Sequence, residues 1–127
     1  MLTSVLAVED DALNRAVLFE MLKVIAPGLD VTFVVDGVEA IEALKAQDFA
    51  LILTDINMPR MDGKELLTAI RAEVGAKTPV IAITALAVRG DREKLLTMGF
   101  DDYISKPIDM RVLQTTLERF VTLSIDP

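Results

Sequence analysis

Five short apolar runs punctuate the chain, and between them apolar residues recur at the three-to-four-residue spacing of a helix face. The first run, Ser4-Val5-Leu6-Ala7-Val8, ends in the acidic triplet Glu9-Asp10-Asp11. After it Leu13, Val17, Leu18, Met21, Leu22, Val24 and Ile25 share one broad face of a helical wheel at about 100° per residue, and Pro27-Gly28 closes that helix. Arg15, Phe19, Glu20 and Lys23 fall on the other side. Val31-Thr32-Phe33-Val34-Val35 is the second run, Asp36-Gly37 a turn, and Val38, Ile41 and Leu44 the inward positions of a second helix. Ala50-Leu51-Ile52-Leu53-Thr54 leads to Asp55, and Pro59 then Asp62-Gly63 break the run and hand over to a loop.

Beyond Gly63 the pattern repeats. Leu66, Leu67 and Ile70 mark a third helix stopping near Gly75, and Val80-Ile81-Ala82-Ile83-Thr84 is a fourth strand. Asp91 starts a short helix carrying Leu95 and Leu96, with Gly99 placed as its left-handed terminator. Asp102-Tyr103-Ile104-Ser105 is a brief fifth strand broken by Lys106-Pro107, and Asp109 caps a last helix that returns Leu113, Leu117 and Phe120 to the core. Runs this short and this apolar are strands buried on both faces, so five strand-helix alternations predict an α/β fold: a doubly wound, five-stranded parallel sheet with helices on both faces and right-handed crossovers.

Composition narrows the function. At 127 residues the chain is the size of one domain, taken as 1–127, with no second module expected. Its net charge of −7 and the lack of a basic stripe argue against direct nucleic-acid binding. There is no cysteine and no histidine, so a metal here would be a hard, oxygen-bound cation. With no signal-peptide pattern and no apolar run near the roughly 20 residues that span a bilayer, a soluble, cytoplasmic protein without membrane insertion is expected.

In an open parallel sheet, ligands sit beyond the carboxyl ends of the strands, where the strand order reverses. The polar residues that end separate strands should therefore form one site: Glu9 and Asp10, Asp55, Thr84 and Lys106. Three carboxylates brought together repel by roughly 4 kcal/mol per pair at about 4 Å and an effective dielectric near 20. Mg2+ would remove that penalty, bound by Glu9, Asp10, Asp55 and the backbone carbonyl of Asn57. Asp55 can then act as a nucleophile toward phosphorus, with charge on the phosphoryl oxygens met by Mg2+, Lys106 and Thr84. Asp11 by itself reads as a helix cap, Asp62-Gly63 as turn chemistry, and Met58 and Met61 as filler.

These residues resemble the response-regulator receiver domains of two-component signalling. The resemblance runs from Val5 to about Val121 and is carried by Val8-Glu9-Asp10-Asp11, the stretch from Asp55 to Gly63, Ile83-Thr84-Ala85, and Tyr103-Ile104-Ser105-Lys106-Pro107-Ile108. It implies Asp55 as phosphoacceptor, Glu9 and Asp10 as the acidic metal pair, and Asn57 as the carbonyl ligand. It further implies Thr84 and Lys106 as sensors of the phosphoryl group, Tyr103 as an aromatic that changes rotamer with them, a cis Lys106-Pro107 peptide, and the flavodoxin-like strand order 2-1-3-4-5. The first acid is Glu9 where aspartate is more frequent, a departure that would lengthen its reach or route the metal contact through water.

The implied function is a phosphoacceptor signalling domain rather than an enzyme, catalysing only its own phosphorylation and slow dephosphorylation. Lacking histidine, it must take its phosphoryl group from a partner histidine kinase or histidine phosphotransfer protein. Phosphorylation adds about 1.5 to 2 negative charges and should switch the surface of the fourth helix, fifth strand and fifth helix, including Leu86, Ala87, Val88 and Tyr103, for an output protein. Two finer expectations are that Phe19, on the outward side of the first helix, anchors the phosphodonor, and that apolar Leu86 prolongs the phosphate's life. The rival readings are a haloacid-dehalogenase-type magnesium phosphatase, which wants an aspartate where Asn57 stands, a flavodoxin-like cofactor binder, whose phosphate an acidic first loop would repel, and a phosphorylation-silent interaction module, which the intact site argues against. Met1 directly ahead of the first strand leans toward a free-standing regulator over a receiver cut from a hybrid kinase.

Overall fold

The computed structural model describes residues 3–56, 63–74, 78–85 and 91–121. The elements are β1 (Thr3–Val8), α1 (Ala12–Ile25), β2 (Leu29–Val34), α2 (Gly37–Ala46), β3 (Leu51–Asp55), α3 (Gly63–Val74), β4 (Val80–Thr84), α4 (Asp91–Met98), β5 (Asp102–Ser105) and α5 (Met110–Glu118). All strand pairings are parallel, and the order across the sheet is β2-β1-β3-β4-β5, as the resemblance implied. β3 and β4 are buried along their whole length, which is why their sequences show no polar alternation.

Successive residues of each strand feed opposite faces, giving two cores. Leu6, Val8, Ile52, Val80 and Ala82 pack with Ala40 and Leu44 of α2, Leu66, Leu67 and Ile70 of α3, and Leu95 of α4. Val5, Ala7, Leu51, Leu53, Ile81, Ile83 and Ile104 pack with Leu18 and Leu22 of α1 and Leu113 and Leu117 of α5. Among the described residues, no helix is long and apolar enough to cross a membrane.

Helix starts follow local chemistry. Asp11, Asp36 and Asp109 each accept a hydrogen bond from backbone N–H groups of the first turn, at Asn14, Glu39, and Arg111 and Val112 respectively. The Asp36-Gly37 pair is thus a cap and first helical residue rather than a free turn. Gly99 ends α4 at φ 116°, a backbone angle that a side chain disfavours. The peptide between Lys106 and Pro107 is cis.

The broad apolar face expected of α1 is narrower in the structure. Leu18 and Leu22 are buried and Met21 and Ile25 are partly packed, but Leu13, Val17 and Val24 are 71%, 42% and 68% exposed. A single helix lying on a twisted sheet covers only a stripe, and the wheel groups every apolar residue within its arc whether or not the sheet reaches it. Val38 at the start of α2 is also exposed, and Ala40 takes the inward place. Among the described side chains of α4 Leu95 is the buried one, while Leu96 is exposed.

Candidate functional site

The register brings the strand ends level. Val8 pairs with Thr54, so Glu9, one residue past the end of β1, stands beside Asp55 at the end of β3. Asp55 pairs with Ile83, and Thr84 with Ser105, which places Lys106 immediately past the end of β5. Backbone bonds extend the frame by a residue: the Glu9 N–H donates to the Val34 carbonyl at 3.0 Å and the Lys106 N–H to the Thr84 carbonyl at 2.8 Å.

From this frame the Lys106 ammonium reaches back over the sheet. Its Nζ donates to Glu9 Oε1 and to Asp55 Oδ2, each at 3.0 Å, joining three strands across sequence separations of 97 and 51 residues. Glu9, Asp55 and Thr84 are buried, whereas Asp10 is exposed. One carboxylate oxygen from each of Glu9, Asp10 and Asp55 lies within 4.8 Å of the others. At that separation and an effective dielectric near 20, each pair of charges repels by about 3 to 4 kcal/mol. The Lys106 ammonium offsets this for the two buried acids.

Burial pushes the Glu9 carboxyl above the ordinary glutamate value, and the charge of Asp55 adds to the rise. Hydrogen bonds from Lys106 and from the Asp11 N–H, with the ammonium's charge, pull the other way without cancelling it. For Lys106 burial alone would lower the pKa, but the bonds and charges of Asp55 and Glu9 outweigh burial and hold it above the usual lysine value. The ammonium therefore stays charged throughout the neutral range.

Of the residues expected at the site, Glu9, Asp10, Asp55, Thr84 and Lys106 are brought to one end of the sheet. Asn57, Met58, Met61, Asp62, Leu86, Ala87 and Val88 lie outside the described residues. Tyr103 is half-buried and packs against the core on the α2–α3–α4 side. Phe19 turns toward the edge strand, its ring meeting Phe33 edge-on at 6.0 Å with Lys23 Nζ 5.3 Å from its centre. The part of α1 beside Lys106 is instead Asn14, Val17 and Met21, which line a groove with Pro107 and Ile108.

Sequence reasoning missed Arg15, assigned above to the outward side of α1. Its Nη1 donates to the backbone carbonyls of Glu9 and Asp10, at 2.8 and 2.9 Å. The available signal was a cation in the first turn of the helix that follows an acidic loop. Arg71 was also passed over; it donates to the carbonyls of Thr78 and Gly99 and pairs with Asp101 at 2.8 Å, tying the end of α3 to the turn between α4 and β5.

The donor set is all oxygen, with no soft ligand, and suits a hard divalent cation such as Mg2+. Comparison with known proteins agrees with this frame. The model of the response regulator receiver domain matches residues 5–118. The chain is similar to hybrid signal transduction histidine kinase G of Dictyostelium discoideum, at 34% identity over 124 residues, which is 96% of this chain and 4% of that protein. Among solved structures it is similar to the receiver domain of the sensor histidine kinase PA1611 from Pseudomonas aeruginosa PAO1, which has a magnesium ion coordinated in the active site cleft (39% identity, TM-score 0.82, 94% of this chain and 98% of that one). It is also similar to a chain of the co-crystal structure of the Saccharomyces cerevisiae histidine phosphotransfer signaling protein and the receiver domain of its downstream response regulator (25% identity, TM-score 0.80, 98% and 94% covered).

Proposed function

The chain belongs to the response regulator receiver domains, the phosphoacceptor modules of two-component phosphorelays, and we propose that Asp55 is the residue that takes the phosphoryl group. A carboxylate oxygen of Asp55 attacks the phosphorus of a phosphohistidine on the partner. The new O–P bond forms as the N–P bond breaks, and the electron pair leaves with the imidazole nitrogen. The observation that carries this reading is the Lys106 ammonium held 3.0 Å from both Glu9 and Asp55, poised to follow negative charge from the carboxylate onto the phosphoryl oxygens.

Glu9, Asp10 and Asp55, with the Asn57 carbonyl, are the residues that would hold Mg2+, whose charge neutralises the phosphoryl oxygens when it is bound. Thr84 and Lys106 then draw toward the phosphoryl group, and Tyr103 changes rotamer with them. The domain signals rather than turns over substrate, so its chemistry is confined to its own phosphorylation and slow loss of phosphate. The haloacid-dehalogenase alternative gains no support from the family match.

The phosphodonor is a histidine kinase or histidine phosphotransfer protein, and its docking face is the groove of Asn14, Val17, Met21, Pro107 and Ile108, with Leu13 beside it on α1. Support comes from continuity: Lys106 belongs to both the groove and the acidic site, and Leu13 and Val17 are exposed apolar side chains with no core to fill. The output face is α4, β5 and α5, where Leu96, Met98, Met110 and Val112 are exposed.

The test is uptake of phosphate from acetyl phosphate with Mg2+, read by intact mass as a hydroxylamine-labile adduct. The wild type should label and Asp55→Asn should not. Equal labelling of the two would overturn the assignment.

A further inference from the structure

We propose that Arg15 is a positioning residue of the acidic cluster, holding Glu9 and Asp10 in the register that cation binding requires. The inference deepens the metal-site reading above and rests on it. Glu9 and Asp10 are consecutive residues on a turn of three between β1 and α1, and both must present carboxylates to the same point as Asp55. Glu9 is secured on several sides, through its N–H to Val34, its Oε1 to Lys106 and its Oε2 to the Asp11 N–H at 3.1 Å. Asp10 is exposed, so the orientation of its carboxylate depends on the backbone beneath it.

Arg15 supplies that backbone support. A single guanidinium nitrogen accepted by two successive carbonyl oxygens, at 2.8 and 2.9 Å, fixes the relative rotation of the Glu9 and Asp10 peptides. Arg15 itself is anchored through its own N–H, which donates to the Asp11 carbonyl at 3.0 Å in the first turn of α1. The helix is thereby the rigid body from which the turn is aimed. Ordering a loop before its ligand arrives removes part of the entropy that binding would otherwise cost.

Electrostatics makes the proposal separable from a mere charge effect. Removing a positive charge near a cation site should, through charge alone, tighten Mg2+ binding. Removing a positioning contact should weaken it. The two accounts predict opposite signs.

The experiment is Mg2+ titration of the unphosphorylated chain by calorimetry, with melting in EDTA recorded for each variant. Arg15→Met should bind Mg2+ about tenfold more weakly than the wild type, the scale of losing a group that orients metal ligands. Arg15→Lys, which retains a charged donor of shorter reach, should fall between them and guards against a Met variant that does not fold. Affinity of Arg15→Met equal to or tighter than wild type overturns the proposal, even if its Tm falls, because the role is then structural only. A wild type that takes up no Mg2+ overturns the metal-site reading first, and this inference with it.

Discussion

Replacing Lys106 by methionine keeps most of the side chain's volume and removes its charge, leaving the Glu9 and Asp55 carboxylates facing each other in a buried site. Each contact is 3.0 Å, worth about 5 kcal/mol by Coulomb's law at an effective dielectric near 20, or roughly 11 kcal/mol for the two. Withdrawing the ammonium from water costs several kcal/mol in the wild type, and its loss returns that, so the net deficit should be about 3 to 5 kcal/mol. For a domain of this size that is a fall in Tm of about 10 to 20 °C. The assay is thermal unfolding followed by circular dichroism in EDTA across a pH series.

The pH dependence gives the prediction its sign. A carboxyl raised above its unfolded value contributes stability that is complete below that value, 4.5 for Glu9, and lost as pH rises through the folded value. Without Lys106 the opposing bond and charge vanish, so Glu9 rises further and the penalty at neutral pH grows. The deficit of Lys106→Met should therefore be large at neutral pH and shrink on acidification toward 4.5. In the wild type the Lys106 contribution is present below its ordinary value of 10.5 and is lost as pH climbs through the raised one. Identical melting at neutral pH, or a deficit that widens in acid, would refute the reasoning.

Glu9→Gln should raise Tm in EDTA at neutral pH, because burial already disfavours the charged carboxylate, while weakening Mg2+ binding in calorimetry; a lowered Tm would contradict the first half. Gly99→Ala should cost about 1 to 2 kcal/mol in urea unfolding, since φ is 116° and the new Cβ would stand 3.3 Å from Leu67 Cδ2. Val17→Asp should slow phosphotransfer from a partner phosphohistidine at least severalfold while leaving labelling by acetyl phosphate unchanged, and parallel losses in both assays would remove Val17 from the donor face. Trapping with beryllofluoride and Mg2+ should shift backbone resonances of Tyr103 and Val112, and no shift there would count against the switch surface.

Much of the fold was legible because it is written locally. A run such as Val80-Ile81-Ala82-Ile83 has no polar face, so it reads as a fully buried strand and is one. Asp11 and Asp109 cap helices through bonds to residues two or three positions on, and Gly99 ends a helix at the angle it alone adopts easily. The choice of Glu9, Asp10, Asp55, Thr84 and Lys106 was also legible, since a parallel sheet gathers its strand ends at one edge whatever the residues between. The exposed half of α1 was not legible. Periodicity tells which side chains share a face, and only the neighbouring sheet and α5 decide how wide a stripe is covered.

The order of polar and apolar residues alone thus determined five buried strands, the helices between them and the kinds of group at their ends, because each of these depends on contacts spanning a few residues. Only the folded chain decided that one ammonium bridges two acids 51 and 97 residues away, that the Arg15 guanidinium folds back onto the turn carrying Glu9 and Asp10, and that Phe19 turns to Phe33 rather than to the site. Those outcomes depend on strand register and on where a long side chain finds a partner in space. Spacing along the chain carries no such information.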